Sequence, residues 1–332
     1  MIEHMHLMQE HEFSAHELYR VSLQQVLQSG ERVVTRGMVT KEILHYTTVI
    51  NAPRHHVHIV PGRRWNPWLA LSEALWILAG RDDIAPLLPY NKNIASFSDD
   101  GIRNYGAYGA RIGDQIQQVF DRLERDPNDR RCVISIWNPA DLTATTKDPP
   151  CNDMLLFKQR EGKLNMTVVN RSNDLHWGLY GVNIPTFGIL LDYMAAYLGV
   201  SMGHQIHYSD SLHVYTGGNG MKKNYDITKN MMARFFEPQL DIPEHENAFI
   251  DHVELPKLRR ACNAVLDNTD VQPHYEGDIK FLRFADEFLT AYRIGPDALA
   301  KLAFLASGQN YRDWLLAGTT WFNEGKQEAA KW

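Results

Sequence analysis

The sequence predicts an α/β fold of the α+β kind, with a mixed sheet packed against helices and a helical C-terminal extension. Three observations predict it. β-Branched and apolar runs separated by short turns gather between residues 130 and 169. Two strongly apolar helical patterns, at residues 67–78 and 183–198, flank that run. Past about residue 220 the texture changes to amphipathic helical patterns without a cluster of titratable groups.

The elements follow in order. Apolar residues at mixed three and four spacing make residues 12–27 an amphipathic helix ended by Gly30, and residues 43–50 read as a strand. Pro67 starts and Gly80 stops the next helix, which a single acid, Glu73, interrupts. Residues 130–136, 154–157 and 164–169 are strand-like, the last two separated by Glu161-Gly162. Residues 183–198, with Pro185 in the first turn and Gly199 beyond the end, read as a buried helix. Helical patterns at 281–292 and 297–305 and an aromatic-rich stretch at 314–321 complete the tail. The proline-containing FEPQLDIPEHE at 236–246 marks the expected boundary between a catalytic domain, 1–235, and the extension, 236–332.

Composition narrows the function. At 332 residues and 44% hydrophobic, the chain buries a core without disulfide or metal staples. A net charge of −6 argues against general nucleic-acid binding, which needs a basic excess. Three cysteines without CxxC spacing indicate neither a disulfide framework nor a zinc finger, and the histidines of HMHLMQEHEF and of HHVH (55–58) match no closed zinc site. The N-terminus lacks the pattern of a signal peptide, and the longest apolar run, 184–200, carries Asp192 and is too short to span a bilayer. A soluble cytoplasmic protein without a metal is expected.

Three segments carry chemistry: DRRCVISIWNP (129–139), PPCNDMLLF (149–157) and NRSNDLHWGLYGVN (170–183). Cys151 reads either as an inert core thiol or as a nucleophile, and the second needs a neighbouring cation to favour the thiolate. Arg171 and the Arg130-Arg131 pair are the available cations. An arginine in an apolar strand context calls for an anion: a ligand phosphate or carboxylate, or a structural pair with Asp174. Three arginines plus Ser172 suit a phosphate monoester.

These motifs, with DPNDRRCVISIWNPADL extending the first and SDSLHVY (209–215) following the third, resemble thymidylate synthase and its nucleotide hydroxymethylase relatives over roughly residues 20–220. The resemblance implies a thymidylate synthase-type fold and a homodimer. It makes Cys151 similar to the nucleophile that adds to C6 of a pyrimidine. Arg171 and Ser172 resemble the phosphate-binding Arg-Ser, Arg130 and Arg131 the pair that reaches across the dimer to the partner's phosphate, and Arg36 the arginine that closes over the same group. Asn183 is similar to the base-reading asparagine, and Asp174 to the aspartate that orders water and the folate ring. His213 and Tyr215 resemble the pair on the sugar 3′-hydroxyl, Glu73 the glutamate of the folate-side helix, and Tyr108 the tyrosine beside the nucleophile. The implied substrates are a pyrimidine nucleoside monophosphate and 5,10-methylenetetrahydrofolate.

The chain also departs from that pattern. The synthases carry shielding tryptophans between the Glu73 helix and YGAYG, whereas NKNIASFSDDG (91–101) has none. Water then captures the reactive methylene, and the expected product is a hydroxymethyl nucleotide. The chain also ends NEGKQEAAKW rather than in a short apolar tail. Asn152 stands where synthases have histidine, and GLYGVN carries one residue more than the usual loop. Asn183, an amide, favours uracil, hence dUMP, with dCMP and CMP open. The expected activity is therefore nucleotide C5-hydroxymethylation. The alternatives are thymidylate synthase itself, a non-catalytic nucleotide-binding protein, and a cysteine hydrolase pairing Cys151 with His213.

Overall fold

The computed structural model describes residues 15–51, 57–60, 62–218, 222–233, 252–269, 280–305 and 311–329. The expected boundary at 236 and the N-terminal histidines fall outside them. Seven strands form one sheet: β1 Glu31–Thr35, β2 Met38–Ile50, β3 Val133–Ser135, β4 Asn152–Arg160, β5 Lys163–Asn170, β6 Asn173–Asp174 and β7 Ser201–Gly218. The order is β1-β2-β7-β5-β4-β3, with β6 paired to β7 beside the main path. β7 runs parallel to β5 and β6 and antiparallel to β2, while β4 is antiparallel to both its neighbours. The sheet is thus mixed, as expected.

Helix α1, Ala15–Ser29, precedes the sheet, and α2 spans Pro67–Ala79. The Asn66 side chain caps α2 by accepting from Leu69 N at 3.0 Å, Pro67 opens its first turn, and Gly80 ends it in the left-handed conformation at φ 76°. Every residue of α2 is buried except Glu73. Short α3, Tyr108–Ile112, and α4, Gln115–Arg125, follow, the latter presenting Ile116, Val119, Phe120 and Leu123 to the core at helical spacing. α5, Ile184–Tyr197, is nearly all buried.

Alternate residues of β5, Leu164, Met166 and Val168, lie fully buried under these helices. The opposite face carries a row in register across five strands: Val133, Leu156, Thr167, Ile206 and Val49. Val133 is exposed and the other four are half-buried. No described helix covers them as the first face is covered.

Beyond α6, Lys222–Ala233, the chain adds α7 Leu255–Leu266, α8 Lys280–Ile294, α9 Pro296–Leu305 and α10 Arg312–Ala329. α7, α8 and α10 pack on α2, α9 packs on α8 and α10, and all four share the hydrophobic cluster of α2. Trp68 stacks on Phe288 with centroids 5.1 Å apart and donates its indole N–H to the Phe288 carbonyl at 2.9 Å. Such an aromatic pair adds about 1 kcal/mol beyond its area.

Strand β1 and helices α4 and α7 are not among the expected elements, and three further segments differ from expectation. The strand read at 130–136 shrinks to Val133–Ser135, because Asp129 accepts from the backbone N–H and the guanidinium of Arg131 and turns the chain there. The helix read from residue 183 is preceded by a nine-residue π-helix, Leu175–Asn183. β7 runs 18 residues, far past the SLHVY stretch. Among the described residues no helix is long and apolar enough to cross a membrane.

Candidate active site

The β4–β5 hairpin builds the centre of the site. Its register sets Asn152 opposite Asn170, so the residues just outside, Cys151 and Arg171, become neighbours. Arg171 N donates to the Cys151 carbonyl at 3.0 Å. The guanidinium donates to the carbonyls of Pro150 (2.8 Å) and Pro149 (3.1 Å), and Nη2 stands 3.7 Å from Cys151 Sγ. The Pro-Pro-Cys turn is therefore tied to the arginine that faces the thiol. The expected alternative, an Arg171–Asp174 pair, is not what holds Arg171.

Cys151 is exposed as a residue, yet protein packed around Sγ pushes its thiol up from the ordinary range. Arg171 and Arg36 oppose that rise, while Asp148 and Asp153 reinforce it. Arg36 and Gly37 form the two-residue turn of the β1–β2 hairpin, with φ of 49° and 78°, which projects the exposed Arg36 toward the site.

Tyr108 reaches the thiol from the helical side, with Glu73 and Asp148 close to it. Close approach of α3 to α2 requires glycine at 109, where a Cβ would lie 2.8 Å from Ile77 Cα. The Tyr108 hydroxyl accepts from the Cys151 backbone N–H, and burial next to Cys151, Asp148 and Glu73 keeps the phenol protonated. Burial, then the charge of Asp148, raises the Glu73 carboxyl to about 7.

Asp148 is the residue the sequence reading passed over. It sits three positions before Cys151, accepts from Gly106 N at 2.8 Å, and is raised to about 6, chiefly by burial. Its acidic side chain in DPPC was the available signal.

GLYGVN lies inside the π-helix Leu175–Asn183, whose wider turn can hold one residue more than an α-helical turn. One more residue in an α-helix would rotate all that follows by about 100°, whereas the wider turn keeps both ends in place. Asp174 caps its start, accepting from His176 N (2.7 Å) and Trp177 N (2.8 Å), and Asn183 closes its end. Arg63 donates to the His176 carbonyl and Trp65 to the Gly181 carbonyl, satisfying acceptors along the π-helix. Asn183 Nδ2 points at Asn173 Oδ1 (3.2 Å) and Asn152 Oδ1 (3.5 Å).

His213 pairs with Asp174 across β6 and β7, and β7 is extended there, so His213 and Tyr215 share one strand face with ring centroids 5.4 Å apart. The charges of Asp174, Arg36 and Cys151 all act on Tyr215. Ser172 lies half-buried in the link between β5 and β6. Among the described residues the thiol partner of Cys151 is Arg171 and not His213, which removes the hydrolase dyad.

Arg130 and Arg131 stand apart. They precede β3, whose register sets Val133 opposite Leu156, so Arg131 lies about seven residues along β4 from Cys151, roughly 20 Å away. Asp129 grips the Arg131 guanidinium with both oxygens at 3.0 Å, and this pairing holds the Asp129 carboxyl far below the usual carboxylate range.

A mixed sheet that sets a cysteine beside an arginine, with two raised carboxylates behind it, is a frame for covalent chemistry at a thiol. The family model described as thymidylate synthase matches residues 17–261, and the chain belongs to that family. It is 40% identical over 230 residues to the deoxyuridylate hydroxymethyltransferase of Bacillus phage SP01, covering 64% of this chain and 60% of that protein. It is also 40% identical over 176 residues to the enzyme of the same name from Pseudomonas phage M6, covering 51% of this chain and 50% of that protein. The thymidylate synthase of Symbiobacterium thermophilum is 32% identical over 166 residues, covering 43% of this chain and 57% of that protein. The chain thus spans about half to three fifths of the length of these relatives.

Proposed function

We propose that the protein is a folate-dependent pyrimidine nucleotide 5-hydroxymethylase acting on dUMP. The observation that carries this reading is the segment at residues 91–101, which Asp99 ties to Thr146 and Lys147 just before the Pro-Pro-Cys turn. This segment has a polar short helix, Lys92–Ser96, and no tryptophan to exclude water. Two relatives named deoxyuridylate hydroxymethyltransferase support it.

In this reading Arg171, Ser172 and Arg36 hold the phosphate, whose charge offsets their own next to Cys151. His213 and Tyr215 meet the sugar, and Asn183 meets the base. The Cys151 thiolate adds to C6 of the pyrimidine and makes C5 nucleophilic. A methylenetetrahydrofolate co-substrate supplies the one-carbon unit to C5. Phe97, Ile102, Tyr105 and Leu142 are exposed apolar side chains that would suit its planar rings. The two loops that carry them are joined through Asp99 to Thr146 and Lys147 and through Tyr105 to Asp141. Glu73 acts as the base, with Tyr108 and Asp174 ordering water. Loss of the C5 proton and of the carrier leaves an exocyclic methylene on the nucleotide. Water then adds to the methylene carbon as Sγ leaves C6, so no electrons are transferred.

The test is mass spectrometry of dUMP incubated with the protein and methylenetetrahydrofolate. A gain of CH2O with release of tetrahydrofolate is the expected result. A gain of CH2 with dihydrofolate absorbance would make the protein a thymidylate synthase instead.

The same reading includes a homodimer formed through the open sheet face. The in-register row from Val133 to Val49 supplies the apolar surface, and Arg130 and Arg131 at its margin enter the partner's phosphate site. Ile206→Glu, which places a charge mid-row, is expected to give a monomer by sedimentation velocity and to lose turnover with the fold retained.

A further inference from the structure

Asn152, directly after the nucleophile, is 0% exposed, and its Nδ2 has no hydrogen-bond partner. A buried amide donor left unpaired costs roughly 1–3 kcal/mol, so a site that keeps one has a use for it. Its carbonyl end is engaged, because Oδ1 faces Asn183 Nδ2 at 3.5 Å. Asn183 Nδ2 also faces Asn173 Oδ1 at 3.2 Å, and Asn173 Nδ2 in turn contacts Ser209 Oγ at 3.3 Å. The three amides therefore form a relay centred on Asn183, whose Nδ2 donates to the carbonyl oxygens of both Asn152 and Asn173. Turning Asn183 over on its own would set three carbonyl oxygens against one another. The acceptor remaining on Asn183 is Oδ1, and the donor remaining on Asn152 is Nδ2.

We infer that Asn152 is a second base-reading residue and that the Asn173–Asn183–Asn152 relay selects uracil over cytosine. The inference rests on the proposed nucleotide site. Uracil offers a donor at N3 and an acceptor at O4, which Asn183 Oδ1 and Asn152 Nδ2 complement. Cytosine offers an acceptor at N3 and an amino donor at C4, so both contacts oppose like with like. A buried polar site rejects such a mismatch far more strongly than a methyl group more or less.

The experiment is calorimetric titration of the full chain with dUMP and with dCMP, in the parent, Asn152→Leu and Asn152→Asp, with circular dichroism as the fold control. Leucine is nearly isosteric and removes the donor. Aspartate keeps a polar side chain and supplies an acceptor at the same place, so a variant remains should leucine disturb folding. Preference of the parent for dUMP, with its affinity falling by at least about 30-fold in either variant and the dUMP-to-dCMP ratio falling with it, is the expected outcome. An unchanged ratio in a folded variant would overturn the inference and leave the proposed function standing, whereas a parent that prefers dCMP would overturn both the inference and the dUMP reading. A parent that binds neither nucleotide would remove the proposed site and the inference together.

Discussion

Cys151→Ala is expected to abolish hydroxymethyl transfer, with kcat falling by at least about 10⁴-fold, the scale seen when a covalent nucleophile is removed. Nucleotide binding should persist, because Arg171 keeps its hold on the Pro149 and Pro150 carbonyls without the thiol. Burial holds the thiol above its ordinary range in the absence of substrate, and Asp148 and Asp153 add to that. Alkylation of Cys151 by iodoacetamide should accordingly be slow at neutral pH and accelerate as pH rises. Neutralising one of the opposing acids, in Asp148→Asn, should move that rise toward lower pH. Retained turnover in a folded Cys151→Ala protein would sink the covalent mechanism, and the mass of the trapped nucleotide adduct reads the same step directly.

Glu73→Gln carries the second large effect. A positioned general base contributes about 10²- to 10⁴-fold, and the loss should appear in kcat rather than in nucleotide affinity. The sign of the pH dependence follows from the raised carboxyl. With its pKa lifted to about 7, Glu73 is mostly protonated below that pH and ionised above it. A base must be ionised, so the parent's kcat should climb with pH through a limb near 7. Glutamine has no such titration, and the limb should vanish along with most of the rate. Asp148→Asn removes the charge that helps raise Glu73, so the limb should shift to lower pH with the base intact. A limb that survives in Glu73→Gln would assign the titration to another group.

Much of the fold was legible because its local rules are strong. Asn66, Pro67 and Gly80 write the ends of α2 in the sequence, and twelve apolar or small residues around one glutamate mark Glu73 as exceptional. Apolar alternation places β5 within a residue of its ends. The nucleotide-site residues were legible through motif resemblance rather than through periodicity. α4 was missed although its four core residues have helical spacing, and the length of β7 was missed because Gln205, His207 and Ser209, all buried, break the apolar alternation a strand advertises.

The sequence by itself determined the types of chemistry present: one cysteine between turn-forming prolines and a strand, arginines in apolar surroundings, and an acid in an apolar helix. It also held the family match over residues 17–261. Only the tertiary structure decided which of these groups meet. The β4–β5 register brings Arg171 to Cys151 across twenty positions of chain, and the β3–β4 register carries Arg131 away from it. The winding of GLYGVN as a π-helix was likewise decided in space, because its buried ends, Leu175 and Asn183, are each held by neighbouring elements. Asp148 gained its influence on Glu73 by proximity and loss of water. Both depend on distance in space, and distance along the chain does not encode them.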